Sequence, residues 1–339
     1  MLKVVTFGEL MLRLSPPDFN RFAQTRSFDV YFGGAEANVA ATLAQLKIDA
    51  CFITKLPCNE IGLAALNYCS GFGINTKHIV FGGERLGIYF CENGVSQRPS
   101  KIIYDRKNSA IANACDVDFD WDNILEDTVL FHYTGITAGL SDSVRAILVG
   151  ALKKAKDRKI LVSCDLNYRA KLWSKEEANK NMTEYMKYTD ILIANEEDAE
   201  KVFGISSGSD IESGNIDIEG YKNVAKKLYE RFNLKLVASH LRESISASDN
   251  GWQVVLFDGD KFAISKKYNV HIVDRVGAGD AFVAGLIYSY LNGKSLQDMC
   301  EFAAASGCLK HSIHGDFNIV NISEIENLVK GKGSGRISR

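Results

Sequence analysis

The chain has 339 residues, 46% of them hydrophobic, which is enough for a substantial core in one large domain or two smaller ones. Its formal net charge of −2 excludes a general attraction to nucleic acid or to an acidic membrane surface, so small molecules are the expected partners. No apolar run approaches the roughly 20 residues that span a bilayer, and the N-terminus has no cleavage-site pattern. Because the eight cysteines include no CxxC pair, we expect reduced thiols in a cytoplasmic protein.

Short β-branched runs alternate with helical periodicity along most of the chain. In chain order, the predicted elements are a strand at 3–8, a helix at 36–46, strands at 51–54 and 128–135, a helix at 141–156, strands at 159–167 and 190–198, a helix at 221–232 and a strand at 234–240. This alternation predicts an α/β fold with a mainly parallel central sheet and helices on both faces. Open sheets of this kind bind ligands at the carboxyl ends of their strands, where this sequence has the polar residues Asp165, Asn167, Asn195 and Ser239.

Two regions break the alternation. Strands are predicted at 10–14 and 27–32, and again at 86–91 and 101–106, with no helix between the members of either pair. We expect them to form a small second sheet, a lid that closes over a cleft and excludes water. The polar stretch at 205–219 is typical of a surface insertion.

The domain prediction follows from these elements. We expect one domain over 1–330, with lid strands from about 10–33 and 86–107, and then a basic tail at 331–339. Exposed edges of the lid strands favour a homo-oligomer formed through the lid.

The stretch "DRVGAGDAF", Asp274 to Phe282, places two glycines and an alanine before an aspartate and a predicted buried helix. Small side chains leave the backbone N–H groups of Gly277, Ala278 and Gly279 accessible, and a helix N-terminus with free N–H groups binds anions. Asp280 is then close enough to accept a proton from a hydroxyl that attacks a bound phosphoryl group. The alternative is an ordinary glycine-rich turn in which the aspartate only begins the helix.

Other phosphate and metal motifs are weaker. Gly293, Lys294 and Ser295 match the end of a P-loop, but the glycine required upstream is Tyr288, so the pattern fails. No GxGxxG follows the first strand, which argues against a nicotinamide dehydrogenase. His311 and His314 have the spacing of metal ligands, but no further ligand cluster lies near them in the sequence.

Three stretches together resemble the PfkB (ribokinase-like) family of carbohydrate kinases: "DRVGAGDAF", "GGAEANVAATLAQL" at 33–46 and "ANEEDAE" at 194–200. The resemblance covers nearly the whole chain. It implies a ribokinase-like α/β/α sandwich with a β-sheet lid and ATP-dependent phosphorylation of a hydroxymethyl group. It also implies that Asp280 is the base and that Gly277, Ala278 and Gly279 donate their N–H groups to the γ-phosphate.

The same resemblance suggests a magnesium site. Asn195 begins a stretch that resembles the family's NxxE motif, which organises the waters around Mg²⁺. The acid at the fourth position is here Asp198, with Glu196 and Glu197 beside it, so either Asp198 or Glu197 is expected to reach the metal through water. Alternatively, the three acids simply begin a helix, where negative charge is favourable.

The stretches "YDR" at 104–106, "DLNYRAKLW" at 165–173 and "HLRESISASDNGW" at 240–252 are similar to the 2-keto-3-deoxygluconate kinase branch of the family. In this reading Arg106 and Arg169 bind the carboxylate of a sugar acid, since a neutral sugar would leave buried guanidinium groups without a partner. The resemblance further implies that Gly34, Tyr89 and Tyr104 line the sugar site and that Asp316 holds a distal hydroxyl. Residues expected near ATP are Asn167, Arg169, Asn195, Ser239, Arg242, Gly251, Gly277 and Gly279, although the stretch around Gly251 is equally typical of an exposed hairpin.

The sequence therefore predicts an ATP- and Mg²⁺-dependent kinase that phosphorylates the C6 hydroxyl of 2-keto-3-deoxygluconate. A fructokinase or ribokinase of the same family is the nearest alternative. A non-catalytic sugar-binding regulator is a further alternative, which the intact aspartate at position 280 argues against. The preference between the gluconate and galactonate epimers stays open.

Overall fold

The central sheet carries the fold, and the computed structural model describes it within residues 2–207 and 217–332. Among these residues nine strands join one sheet in the order β14-β13-β12-β11-β10-β9-β1-β4, with β15 paired to β13. In this sheet the strands β12, β11, β10, β9, β1 and β4 run parallel to one another. Strands β13, β14 and β15 add an antiparallel extension. The strands are β1 (Lys3–Phe7), β2 (Met11–Ser15), β3 (Asp29–Gly33), β4 (Asp49–Ile53), β5 (Lys55–Leu56), β6 (Val80–Phe81), β7 (Gly87–Glu92), β8 (Lys101–Asp105), β9 (Thr128–Thr134), β10 (Leu161–Asp165), β11 (Ile191–Ile193), β12 (Leu236–Ser244), β13 (Asp249–Phe257), β14 (Phe262–Ile264) and β15 (Tyr268–His271).

Helices cover both faces of this sheet, as the alternation predicts. They are α1 (Ala35–Gln45), α2 (Glu60–Gly71), α3 (Trp121–Ile124), α4 (Gly135–Ala138), α5 (Asp142–Asp157), α6 (Lys175–Tyr185), α7 (Glu196–Phe203), α8 (Ile218–Phe232), α9 (Ala278–Leu291), α10 (Leu296–Lys310) and α11 (Ile322–Val329). None of the described helices is both long and apolar enough to cross a membrane.

Two apolar cores lie on opposite faces of the sheet. Adjacent residues of β1 point to different cores: Val4 packs with α1, α9 and α10, while Val5 packs with α5 and α6. This is the two-residue period of a strand that is buried on both sides. Helix α9 lies within the first core and is apolar all round, so its start is held rigidly where the chain enters it from the cleft.

The lid is a separate four-stranded sheet in the described chain, with the order β3-β2-β7-β8. Its strands confirm the two predicted pairs that lack intervening helices. The strand predicted at 190–198 is too long. In the structure β11 ends at Ile193, and the acids after it begin α7. Asn195 caps that helix, since its Oδ1 accepts from the Asp198 N–H at 2.7 Å.

The stretch at 240–252 forms part of the antiparallel pair β12–β13, as the hairpin alternative predicts, but Asn250, Gly251 and Trp252 are buried and not exposed. Most of the predicted insertion at 205–219 and of the basic tail at 331–339 lies outside the described residues.

Candidate active site

A cavity of about 470 Å³ lies between the lid and the carboxyl ends of the parallel strands. Most of the predicted site residues line it together, although they come from distant parts of the sequence. They are Gly34, Tyr89, Tyr104, Arg106, Asn167, Arg169, Asn195, Glu197, Asp198, Arg242, Gly277, Gly279, Asp280 and Asp316. The cavity is therefore the candidate active site.

The start of α9 forms one wall of this cavity. Gly277 precedes the helix with a φ of 84°, a left-handed conformation that favours glycine. A β-carbon on Gly277 would lie 2.1 Å from the carbonyl oxygen of Asp316, whereas one on Gly279 would meet only the His240 ring at 4.0 Å. Within the described chain the N–H groups of Gly277 and Gly279 have no acceptor, so this wall offers donors to an anion.

Ala278 departs from the prediction that it donates to the anion. Ala278 is buried and does not line the cavity, and its backbone N–H donates to the carbonyl oxygen of Arg275 at 3.3 Å. The donor pair at the helix start is therefore Gly277 and Gly279.

Asp280 lies in the first turn of α9 and faces the cavity. Its Oδ2 accepts a hydrogen bond from the Asn38 side-chain amide at 2.7 Å. Burial raises the pKa of Asp280 to about 7, with further raising by the charges of Glu36 and Asp316, while the Asn38 bond opposes the shift. A carboxylate with this pKa exchanges a proton near neutral pH, as a general base requires.

Two further aspartates lie near Asp280: Asp165 at the end of β10 and Asp198 in the first turn of α7. Burial raises the pKa of Asp198 to about 6, and the Arg169 guanidinium and the Tyr168 N–H oppose this shift. The pKa of Asp165 lies well above its usual value because the carboxyl is buried and faces the charges of Asp198 and Asp280. A cation in this part of the cavity would relieve that repulsion.

Glu197, the other predicted metal-water residue, lies in a different environment. Its carboxylate is exposed and pairs with Lys201 one turn further along α7. Of the two alternatives, only Asp198 is buried beside the other acids of the cavity.

The base of the lid is fixed to the body by a buried charge network. The Arg13 guanidinium on β2 lies 2.8 Å from Asp274 and 3.1 Å from Asp316, and all three side chains are almost fully buried. The Tyr89 hydroxyl on β7 donates to the other oxygen of Asp316. Removing one member of such a network leaves a buried charge unpaired, which costs about 3–5 kcal/mol.

Arg106 corrects part of the argument from sequence. Its guanidinium lines the cavity but also forms two hydrogen bonds to the buried carboxylate of Glu9, which follows β1. Because the Arg106 guanidinium is already paired with Glu9, its burial alone does not require a substrate that carries a carboxylate. Arg169 keeps a more open arrangement, with one bond to the carbonyl oxygen of Tyr168 at 3.0 Å.

Ser239 and Gly251 do not line the cavity, contrary to the predicted ATP contacts. The Ser239 hydroxyl is buried and donates to the carbonyl oxygen of Ala194, which ties β12 to the end of β11. Gly251 lies within the β12–β13 pair, where a β-carbon would come within 2.6 Å of Glu243. Ser239 and Gly251 therefore contribute to hydrogen bonding and packing within the sheet.

Asn38, His240 and Arg275 are among the cavity residues that the sequence analysis did not predict. Asn38 is a buried polar residue on the apolar helix α1, which was a usable signal. His240 stacks on Trp252 at 5.1 Å, and burial lowers its pKa to about 3, so it is a neutral wall of the cavity. Arg275 lies inside the quoted "DRVGAGDAF" stretch, but no local pattern distinguishes it from a surface arginine.

The histidine pair shows no metal site. His311 is buried and its Nδ1 contacts the carbonyl oxygen of Gly307 at 2.8 Å. Across residues 2–207 and 217–332 there is no group of three histidine, cysteine or acidic side chains that could hold a metal directly.

A parallel sheet between helix layers, a small lid sheet and a carboxylate at a helix start in the cleft are features of ribokinase-like sugar kinases. The model of the pfkB family carbohydrate kinases matches residues 1–322, and the chain belongs to this family. This confirms the resemblance inferred from the three motifs.

Several relatives carry more particular names. A 2-dehydro-3-deoxygluconokinase from Thermotoga maritima, known from its crystal structure, is 53% identical with a TM-score of 0.95, covering 98% of this chain and 100% of that one. A putative 2-keto-3-deoxygluconate kinase from Enterococcus faecalis is 27% identical with a TM-score of 0.91, covering 100% of this chain and 99% of that one. A 2-dehydro-3-deoxygalactonokinase from Haloferax volcanii is 30% identical over 98% of both chains.

Proposed function

We propose that this kinase transfers the γ-phosphoryl group of ATP to the C6 hydroxyl of 2-keto-3-deoxygluconate, also called 2-dehydro-3-deoxygluconate. The observation that supports this most is the position of Asp280, whose carboxylate faces the cavity beside the free N–H groups of Gly277 and Gly279. The names of the similar proteins from Thermotoga maritima and Enterococcus faecalis point to the same substrate.

In the proposed reaction Asp280 accepts the proton of the C6 hydroxyl as its oxygen forms a bond to the γ-phosphorus. The bond between that phosphorus and the β–γ bridging oxygen breaks, and ADP leaves with both electrons. The Gly277 and Gly279 N–H groups stabilise the negative charge on the transferring phosphoryl oxygens. Asn38 holds the Asp280 carboxylate toward the cavity through its 2.7 Å hydrogen bond.

The acids of the cavity fit a magnesium ion held through water. Mg²⁺ keeps several waters and binds one or two carboxylates together with substrate phosphates. Asp198 and Asp165 supply such carboxylates. Burial raises the pKa of both, the charges of Asp198 and Asp280 raise that of Asp165 further, and a cation would favour the charged form of each. When bound, the ion would neutralise charge on the ATP phosphates.

The cationic groups of the cavity support an acidic substrate. Arg169 faces the cavity and offers planar, charge-assisted donors to a carboxylate. The sugar end is lined by Tyr89 and Tyr104 of the lid and by Asp316, whose carboxylate would accept from a distal hydroxyl in addition to its bonds from Arg13 and Tyr89. We assign Gly34 to the same end, because it lines the cavity directly after lid strand β3.

A substrate panel tests this proposal. ADP release is measured with 2-keto-3-deoxygluconate, its galactonate epimer, 5-dehydro-2-deoxygluconate, fructose and ribose, and NMR identifies the phosphorylated carbon. We expect the highest kcat/KM with a 2-keto-3-deoxy sugar acid and phosphorylation at C6. Faster turnover of fructose or ribose than of any acid would overturn the proposal and favour a neutral-sugar kinase. Highest turnover with 5-dehydro-2-deoxygluconate would instead place the chain with relatives such as the Clostridium beijerinckii 5-dehydro-2-deoxygluconokinase, which is 27% identical.

A further inference from the structure

We propose that Arg275 is a further catalytic residue, which together with Arg242 binds the phosphoryl oxygens of ATP during transfer. This inference rests on the proposed phosphoryl transfer and adds a second group of donors to the start of α9. Arg275 lies two residues before Gly277, and Arg242 lies on β12; both side chains line the candidate active site.

No acid neutralises either guanidinium group, a feature that they share with Arg169 among the arginines that line the cavity. Arg13 is paired with Asp274 and Asp316, and Arg106 is paired with Glu9. In the described part of the chain no carboxylate oxygen comes within 4.0 Å of the Arg242 or Arg275 nitrogens, a distance at which seventeen other pairs are found. The acid next to Arg275 in sequence, Asp274, is already bound by Arg13 and by the Gly315 N–H.

The positively charged guanidinium groups of Arg242 and Arg275 lie close to each other. Burial and the charge of Arg242 both lower the pKa of Arg275, so the two groups lie close enough to repel each other. Arg275 is half-buried and Arg242 is exposed. An anion between or beside the two groups removes this repulsion and gains charge-assisted hydrogen bonds.

The Arg275 side chain is already held in place. Its Nη2 donates to the carbonyl oxygen of Ala247 at 3.0 Å, in the turn between β12 and β13. The same turn is bound to the loop between lid strands β7 and β8, because the Ala247 N–H donates to the Ser96 carbonyl at 2.8 Å and the Ser96 N–H donates to the Ser248 hydroxyl at 2.9 Å. The lid loop therefore helps to orient Arg275, which reduces the cost of ordering it on binding.

The location favours phosphoryl oxygens over the carboxylate of the sugar acid. Arg275 belongs to the loop that presents the Gly277 N–H. Burial raises the pKa of Tyr221, which bonds to Glu196 at the start of α7, and the charge of Arg242 opposes this shift, so Arg242 lies near that residue. The pair thus extends from the start of α9 toward the edge where α7 begins.

The two arginines also line a second cavity of about 520 Å³, which the lid loop and the β12–β13 turn enclose. The guanidinium groups thus lie at the boundary between that cavity and the active-site cavity.

The test compares Arg275→Ala, Arg275→Lys and Arg242→Ala with the unchanged protein. The measurements are kcat, KM for ATP, KM for the best sugar of the panel, and ADP affinity by calorimetry. We expect Arg275→Ala to lower kcat by about 10²-fold, the loss typical of one removed transition-state donor. KM for the sugar should stay unchanged, and Arg275→Lys should recover only part of kcat because an ammonium lacks the paired donors.

Arg158→Ala is the matched control, since it removes a guanidinium that pairs with Asp122 on the surface. Thermal melting of each variant shows whether it is folded, and Arg275→Lys carries the test if Arg275→Ala does not fold. A rise in the sugar-acid KM with kcat retained would show that Arg275 binds the substrate carboxylate and would overturn the proposal. Unchanged kinetics in all three variants would also overturn it.

Failure of the proposed substrate is distinguishable from failure of this pair. If the unchanged protein phosphorylates another sugar, the same kinetic comparison is made with that sugar. If it phosphorylates none, weaker binding of a non-hydrolysable ATP analogue to Arg275→Ala still supports the pair, and equal binding overturns it.

Discussion

At the scale of single residues, the proposed role of Asp280 as a base depends on how burial and hydrogen bonding set its pKa. Burial raises this pKa to about 7, and the Asn38 amide acts in the opposite direction because it donates to the charged form. Near neutral pH a substantial fraction of Asp280 is deprotonated and can accept a proton. Its protonated form cannot act as a base, so activity should decline as the pH falls below this pKa.

The first prediction concerns Asp280→Asn, which keeps the shape of the side chain and removes the proton acceptor. We expect kcat to fall by at least about 10²-fold, the usual range for a lost general base. In the unchanged protein, kcat/KM should rise with pH up to about 7 and then level off, and the substitution should abolish this rise. Steady-state kinetics between pH 5 and pH 9 measure both effects.

Asn38→Ala is the companion variant. It removes a donor that favours the charged carboxylate, so the midpoint of the pH profile should move upward while a reduced activity remains. Near-normal turnover of Asp280→Asn would show that another group accepts the proton.

At the scale of elements, the two glycines at the start of α9 have different roles. Gly277 has a left-handed backbone and no room for a β-carbon, whereas Gly279 has helical geometry and open space toward the cavity. Gly277 is therefore needed for the turn itself. We expect Gly279 to be needed for the space that a phosphoryl group would occupy in the proposed reaction.

The second prediction compares substitutions at these two positions. Gly279→Val should fold normally and lose phosphoryl transfer, because its side chain projects into the cavity. Gly277→Ala should lose activity and also stability, by at least about 1–3 kcal/mol from the backbone strain. Gly293→Ala is the control, since Gly293 has a φ of 64° with no atom close to a β-carbon and lies away from the cavity.

Chemical denaturation and ADP-release assays separate the two effects. A folded Gly279→Val variant that phosphorylates sugar at the original rate would place the anion site elsewhere.

At the scale of the whole molecule, the lid and the body share the active site and are joined by buried charges. Arg13 connects β2 to Asp274 and Asp316 of the body, and Arg106 connects the end of β8 to Glu9. These contacts lie at the base of the lid, next to the residues assigned to the sugar. A change in one of them is expected to alter both the lid position and substrate binding.

The third prediction separates these two roles for Arg106. Arg106→Lys should raise KM for the sugar acid and spare KM for ATP, and Arg106→Ala should do so more severely, because the paired donors are lost. If Arg106 contacts the substrate carboxylate, the effect is smaller for a neutral sugar. Glu9→Gln is the matched variant, since it weakens the same ion pair without removing the guanidinium.

Kinetics with a sugar acid and with fructose decide between the roles. An equal loss with both sugars in Arg106→Ala, reproduced by Glu9→Gln, would show that Arg106 acts only by holding the lid.

The sequence by itself determined the alternating strands and helices, the lid strands and the glycine-rich helix start that carries Asp280, because short-range periodicity and turn chemistry encode these features. The tertiary structure decided which charges are neutralised. Arg106 and Glu9 are 97 residues apart in the chain and Arg13 and Asp316 are 303 residues apart, so no local pattern could pair them. It also decided that Arg275 has no acid within 4.0 Å in the described chain and that the pKa of Asp280 lies near 7. Both depend on burial and on charges brought together through space, which only the folded chain defines.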